Sequence, residues 1–144
     1  MQVSRSDVIT AIVQHIKDAC PDFQLVKAYE GEMRAGDERF LAEIRGLFPC
    51  VLVASQGRRD HESRNRSLHF RHEINLFVGE KDFTGECGIP AIYTFLDNLI
   101  DALHGFNPPA KGASDLHFIN DSHLVHNDFY VLYTQRYFLY EIGA

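Results

Sequence analysis

Residues 68–78 constrain the fold of this chain most, because their apolar side chains recur at every second position. One phase is apolar apart from a single histidine: Leu68, Phe70, His72, Ile74, Leu76 and Val78. The other phase is polar: His69, Arg71, Glu73 and Asn75. A period of two over this length is typical of a β-strand with one buried face. The fold therefore needs a sheet and a layer that covers it.

Three stretches with apolar residues at intervals of three and four predict the helices of that layer. The first stretch follows Ser6, which we predict as the N-cap, and it ends before Pro21. The second begins at Asp37 and ends at Gly46 to Pro49. The third has Pro90 in its first turn and runs to Leu103.

Further strands are predicted at residues 23–29, 50–54, 116–119, 124–125 and 129–142. The polar stretch 57–67 is predicted to be a loop between two strands, and residues 120–122 a turn. The resulting order is α-β-α-β-β-α-β-β(-β), and a length of 144 residues fits one domain, 1–144. Short connections favour an α+β fold: a mixed or largely antiparallel sheet of four to five strands with about three helices packed on it.

Composition excludes several classes of protein. Apolar residues make up 45 % of the chain and charged residues 24 %, which excludes a disordered chain. No apolar run approaches the roughly 18 residues of a transmembrane helix, so we expect no membrane partner. Three widely separated cysteines, Cys20, Cys50 and Cys87, favour a reduced cytoplasm without a disulfide framework.

The common catalytic motifs are absent from the sequence. It contains no GxxxxGK[ST], no GxGxxG after a strand, and no HExxH, GxSxG or CxxC. Cys87 precedes the third helix, where a thiol pKa can be lowered, but no histidine base is placed beside it. Asp97 and Asp101 lie one helical turn apart, which is more typical of a solvated helix face than of an acid/base pair. We predict that the protein is not an enzyme and has no catalytic residues, metal or cofactor.

Eight histidines leave one alternative open. His117 and His123 can meet across a predicted hairpin with Asp121 nearby, which would give a small metal- or ligand-binding domain or an enzyme. Zinc needs three or four convergent ligands, and surface histidines are the simpler interpretation. His72 lies in the apolar phase of its strand, so we predict a hydrogen-bonded core or interface histidine there.

Charge is unevenly distributed along the chain. The formal net charge is −6, but residues 49–71 hold five arginines and two acids, whereas residues 72–144 hold three basic and ten acidic residues. Four of these arginines fall in the predicted loop: Arg58, Arg59, Arg64 and Arg66. They either form a solvated hairpin loop or contact phosphates or an acidic protein surface. A nucleic-acid-contacting module that uses residues 58–66 is a second alternative, although no aromatic residues interleave with the arginines.

The last predicted strand is rich in aromatic residues: Phe129, Tyr130, Tyr133, Tyr137, Phe138 and Tyr140. One face of a small sheet cannot bury all of them, and aromatic residues on a sheet surface often mark a protein interface. We therefore expect self-association through this strand.

Short segments spread over nearly the whole chain resemble the small tail protein family of Mu-like phages and prophages, a domain of unknown function similar to tail terminators. The matching segments are 7–12, 26–32, 48–54, 74–78, 103–108, 116–121 and 127–128 with the final strand. The most specific is Leu103-His104-Gly105-Phe106 with the following Pro108. The arginine loop and Cys87 are not part of the family pattern.

The resemblance implies a structural role. Tail terminators form a ring, commonly a hexamer, on the end of the tail tube, stop its polymerisation and offer a surface to a head-completion or neck protein. Such a protein would act in the bacterial host cytoplasm during assembly and in the virion tail, with DNA only as passing cargo. The arginines would meet the acidic half of a neighbouring subunit or line the lumen, and charge reversal at Arg64 and Arg66 distinguishes these two arrangements.

Overall fold

A computed structural model describes residues 3–33, 37–61, 69–81 and 90–141, without the side chains of residues 37–38, 58–61 and 69. Its elements are α1 (Arg5–Ala19), β1 (Leu25–Ala28), α2 (Asp37–Glu43), β2 (Cys50–His61), β3 (His69–Glu80), α3 (Ala91–Leu103), β4 (His117–His126) and β5 (Val131–Glu141). The five strands form one mixed sheet in the order β1-β2-β3-β5-β4. The predicted α+β class is confirmed.

Of the four strand pairs in the described part of the chain, one is parallel. β1 pairs with β2 in parallel, and the β2–β3, β3–β5 and β5–β4 pairs are antiparallel. β3 therefore lies at the centre of the sheet, with β2 on one side and β5 on the other. This position explains the alternation in its sequence, because Ile74, Leu76 and Val78 enter the core while Arg71, Glu73 and Asn75 face the other side.

The helix α1 begins two residues earlier than predicted. Its N-cap is Ser4, whose hydroxyl accepts a hydrogen bond from the Asp7 amide at 3.3 Å, so the prediction of Ser6 is wrong. Ser6 lies in the first turn, where the helix dipole also favours Asp7. In α3 the proline is the N-cap residue itself, and the helix runs from Ala91 to Leu103.

Two predicted boundaries within the sheet are wrong. β2 continues through Gly57 to His61, with a bulge between Ser55 and Gly57, so residues 57–61 of the predicted loop are strand. The predicted turn at residues 120–122 is the middle of β4, which runs unbroken along β5 apart from two register shifts. Pairing with a long neighbouring strand has overridden the local turn preference of both segments.

The sheet carries a core on each face. On one face α1 and α3 cover the sheet, with Ile12, Ile16, Leu99 and Leu103 fully buried. The opposite face has a smaller core beneath α2, formed by Phe40, Ile44, Cys50, Leu52, Tyr130 and Leu132. Since α2 has seven residues, this second core reaches only one end of the sheet.

Candidate interface on the open face of the sheet

The part of the sheet beyond α2 carries a cluster of charged and aromatic side chains, which we call the open face. It consists of Arg71 and Glu73 on β3, Arg136, Phe138 and Tyr140 on β5, and His117 on β4. The strand register brings them together, because Arg71 lies opposite Tyr140, Glu73 opposite Phe138, and His117 opposite Phe138 from the other side. All six side chains are only half-buried.

Glu73 joins the two arginines of the open face. Its two carboxylate oxygens lie 3.5 Å from Arg71 Nε and 3.5 Å from Arg136, and its side chain is 12 % exposed. Arg136 is 41 % exposed and Arg71 29 %. One carboxylate therefore orients two guanidinium groups and leaves a net positive charge on this surface.

The aromatic rings of the open face form a stack beside these charges. The Arg71 guanidinium carbon lies 4.1 Å from the centre of the Phe138 ring, a cation–π contact. His117 stacks on Phe138 with ring centres 5.0 Å apart, and Tyr140 meets Phe138 edge-on at 5.3 Å. Because each ring is held by its neighbours, binding a partner here costs little side-chain entropy.

The open face borders one edge of the described sheet. Among the described strands β4 is outermost on this side of the sheet, and residues 120–124 are exposed. An edge strand offers unpaired amides and carbonyls to another chain. Arginine and aromatic residues are enriched at the centres of protein interfaces, so this arrangement is suited to binding protein.

The predicted aromatic interface is only partly on the surface. Tyr137 and Tyr130 are 0 % and 3 % exposed, so the prediction that they are surplus surface residues is wrong. Both fit because β5 has cores on its two faces rather than one. Tyr140 lies on the open face, Tyr133 packs edge-on against Tyr93 on the helix side, and Phe129 is 62 % exposed beside β5.

The predicted arginine loop is divided by the fold. Arg58 and Arg59 belong to β2, where they are register partners of His72 and Arg71. The prediction of a loop at these two positions is therefore wrong, since the hairpin strands are longer than their apolar segments. Arg64 and Arg66, and the side chains of Arg58 and Arg59, lie outside the described part of the structure.

The predicted metal cluster does not assemble. His117, Asp121 and His123 lie on the single strand β4, not across a hairpin. His117 pairs with Phe138 on the open face, whereas Asp121 and His123 pair with Gln135 and Tyr133 on the helix face. Within the described ranges, no three His, Cys, Asp or Glu side chains are arranged to hold a metal ion.

The described thiols and carboxylates offer no reactive pair. Burial raises the pKa of the Cys50 thiol to about 12, and burial with the nearby Asp22 also raises the pKa of Cys20. Asp97 and Asp101 are exposed on α3, which agrees with a solvated helix face. Cys87 lies outside the described residues.

A buried hydrogen bond joins a histidine that the sequence analysis identified to a glutamate that it did not identify. His72 Nε2 lies 3.0 Å from Glu141 Oε2, and the Val3 amide donates to Glu141 Oε1 at 2.9 Å. The prediction of a hydrogen-bonded core histidine is confirmed, since His72 is 1 % exposed. Glu141 was missed, although it continues the inward phase of Tyr137 and Leu139. The network attaches the start of the chain to the end of the sheet.

Neither the protein-family models nor the curated proteins contain a match to this chain. No helix among the described residues is long and apolar enough to cross a membrane.

Proposed function

We propose that this protein is a structural phage or prophage tail protein, a tail terminator that assembles as a ring on the end of the tail tube. The observation that carries the proposal is the open face, where arginine and aromatic side chains are held together on a sheet that α2 leaves half uncovered. A ring subunit needs such a surface because each copy must bind the next.

The two sides of the subunit have complementary chemistry. The open face presents Arg71 and Arg136, and the helix layer on the opposite side presents the exposed Asp97 and Asp101 of α3. A contact between the open face of one copy and α3 of the next joins different patches. Such a heterologous contact closes into a ring when its rotation is a simple fraction of a turn.

The proposed contact places opposite charges together around aromatic side chains. Tyr93 is 41 % exposed on α3 next to these aspartates in the helix, and it would meet the Phe138 and His117 rings of the neighbour. Charge complementarity of this kind fixes orientation and speeds encounter. The ring would stop polymerisation of the tail tube, offer its outer end to a head-completion or neck protein, and let DNA pass through its lumen.

The test is to remove the gene from a prophage that carries it and to measure tail lengths by electron microscopy. We expect overlong tails, or tails without heads, and restoration of normal tails when the gene is supplied from a plasmid. Tails of normal length joined to heads in the absence of the protein would contradict the proposal.

A further inference from the structure

A groove runs along the edge of the sheet farthest from the open face, between α1 and β1. Its two parts have volumes of about 410 Å³ and about 280 Å³, and they share Ile9, Thr10 and Ala28 in their walls. The first part extends to Arg5 at the start of α1, and the second extends to Lys17 in its last turn. The groove therefore follows the helix for most of its length.

The helix wall of the groove is a stripe of side chains with one residue per turn. Arg5, Ile9, Val13 and Lys17 follow one another at intervals of four, so a cation stands at each end and two apolar residues lie between them. Ile9 and Val13 are half-buried beside the fully buried stripe that faces the core. Packing within the chain thus leaves part of both side chains available.

The other wall offers backbone hydrogen-bonding groups. Among the described strands β1 is outermost on this side. The amides of Leu25 and Tyr29 donate to the β2 side, at 3.4 and 2.8 Å. Because residues in a parallel ladder alternate in direction, Val26 and Ala28 turn their N–H and C=O groups outward, beside the groove.

Among the described residues, the charged side chains that line the groove are all cationic: Arg5, Lys17 and Lys27. Lys27 is already paired with Glu32 at 2.7 Å, whereas Arg5 and Lys17 are exposed and have no ion pair with a described residue. An occupant with carboxylates near both ends complements these two cations, and one with lysines or arginines is repelled.

The spacing of the helix stripe matches that of an extended peptide. Residues four apart on a helix are about 6 Å apart, and residues two apart on a strand are separated by about 6.6 Å. Alternate side chains of one extended segment can therefore meet Arg5, Ile9, Val13 and Lys17 in turn. The whole stripe spans about 18 Å, which corresponds to a segment of about seven residues.

We propose that this groove binds an extended acidic segment of a partner protein, which adds to β1 as a sixth strand. The bound segment has acidic, apolar, apolar and acidic residues, in that order, at every second position. The outward groups of Val26 and Ala28 bond to its backbone, while Ile9 and Val13 receive its two apolar side chains. This mode of binding gains affinity from main-chain hydrogen bonds and specificity from alternate side chains. The groove is a surface separate from the open face, so this proposal does not depend on the proposed ring.

The probe is a fluorescein-labelled heptapeptide, Glu-Thr-Val-Thr-Val-Thr-Glu with an amidated end, titrated with the full chain and followed by fluorescence anisotropy. Two control peptides have the same length. In one, lysines replace the glutamates; in the other, Glu-Val-Thr-Thr-Thr-Val-Glu, the valines are moved to the opposite face. We expect the probe to bind more tightly than either control. Equal binding of all three, or no binding at about 1 mM protein, overturns the proposal.

Charge reversal locates the site. Arg5→Glu and Lys17→Glu each change an exposed side chain, and we expect each to weaken binding about fivefold or more, since an attraction becomes a repulsion. Lys111→Glu is the matched control, because Lys111 is also exposed but lies outside the groove. Unchanged binding in both groove variants places the peptide elsewhere and overturns the proposal.

Amide exchange measured by NMR tests the strand addition itself. When the probe binds, the Val26 and Ala28 amides should exchange at least tenfold more slowly, while the Lys27 amide, already directed at β2, should change little. A peptide that binds without protecting Val26 and Ala28 lies in the groove in another way, and the proposed strand does not form.

Discussion

Gly79 shows how tightly the smaller core is packed at the end of β3. A β-carbon at this position would lie 2.9 Å from Cys50 Sγ, 2.9 Å from Leu132 Cδ2 and 3.1 Å from a Phe48 ring carbon. These three atoms fill the space that any other residue would need. The glycine is therefore required for close packing rather than for a turn.

We predict that Gly79→Ala destabilises the protein by about 1–3 kcal/mol, the usual cost of an extra methyl group in a packed core. Urea denaturation followed by circular dichroism measures the effect. A variant as stable as the wild type would mean that Cys50 and Leu132 can move aside without cost.

A buried hydrogen-bond chain links β5 to α3. The Tyr137 hydroxyl donates to Gln135 Oε1 at 2.7 Å, and Gln135 Nε2 donates to the Leu96 carbonyl at 3.0 Å. Burial raises the pKa of Tyr137 well above its ordinary value, so the hydroxyl keeps its proton and remains a donor at neutral pH. Gln135 is 0 % exposed and has no access to water as a substitute partner.

We expect Tyr137→Phe to lower the free energy of unfolding by about 1–2 kcal/mol, because it leaves a buried amide oxygen without a donor. Tyr29→Phe is the control: its ring packs on Phe77 with centres 5.0 Å apart, and its hydroxyl makes no hydrogen bond to a described residue. Thermal unfolding of both variants measures the effect. An equal decrease in the stability of the two variants would show that the Tyr137 hydroxyl itself contributes nothing.

Single residues were predictable where the pattern around them was regular. His72 was placed in the core by its phase in an alternating strand, and the structure puts it there. Its partner Glu141 was not predictable, because a glutamate carboxylate is ordinarily solvated. Only the strand register, which sequence does not give, brings the two side chains together.

At the scale of elements, the segment after β1 is fixed by one buried carboxylate. Glu32 is 1 % exposed, lies 2.7 Å from Lys27 Nζ, and accepts a hydrogen bond from the Glu30 amide at 2.8 Å. Burial alone would raise the pKa of Glu32, but the ammonium group of Lys27 and the backbone hydrogen bonds outweigh it and hold the pKa below its ordinary value of 4.5.

This lowered pKa makes part of the stability dependent on pH. The contribution of Glu32 to the free energy of unfolding is present above pH 4.5, the ordinary pKa of a glutamate. It is lost as the pH falls through the pKa that Glu32 has in the folded state, because in this range the unfolded chain binds the proton more readily. We predict that Glu32→Gln is less stable than the wild type at pH 7 and that this difference shrinks below pH 4.5.

Urea denaturation across this pH range measures the difference, with Glu30→Gln as the matched control. Glu30 is 73 % exposed and lies farther from the same lysine, at 3.4 Å. Replacing it should therefore change the free energy of unfolding little at any pH. A difference between Glu32→Gln and the wild type that stays constant from pH 7 to about pH 3 would contradict the assigned role.

Most elements could be predicted, and the two errors within the sheet share one cause. All three helices follow from apolar periodicity, with ends near Pro21 and Pro90. β4 was divided at residues 120–122 because Asn, Asp and Ser favour turns. In the structure Ser122 instead hydrogen-bonds Thr134 across the ladder at 3.0 Å, so pairing with β5 decides the conformation.

At the scale of the whole molecule, the candidate site was predicted in kind but not in position. Aromatic and arginine residues were expected at an interface, and Tyr140 is on the open face. Arg71, Arg136 and Phe138 form its centre only because β3 and β5 are neighbours, which makes positions far apart in sequence adjacent. The structure also shows where some of the charges of the chain lie: Arg71 and Arg136 are on the open face of the sheet, and Asp97 and Asp101 are on α3.

The two-sided charge distribution predicts that one arginine on the open face matters to assembly and a comparable one elsewhere does not. Arg136 pairs with Glu73 at 3.5 Å, and Arg39 on α2 pairs with Glu43 at 3.1 Å. The Arg136 side chain is 41 % exposed and that of Arg39 is 57 % exposed, and pairs near the surface contribute less than about 1 kcal/mol to folding. Arg136→Glu and Arg39→Glu should therefore both fold, with melting temperatures close to that of the wild type.

The most direct test of the proposed ring is the length distribution of tails, measured by electron microscopy in a prophage that lacks the gene and is supplied with one version of it. We predict normal tails with the wild type and with Arg39→Glu, and overlong or headless tails with Arg136→Glu, since its new carboxylate would face the aspartates of the next subunit. Normal tails with Arg136→Glu would contradict the proposal that the open face joins the subunits of a terminator ring.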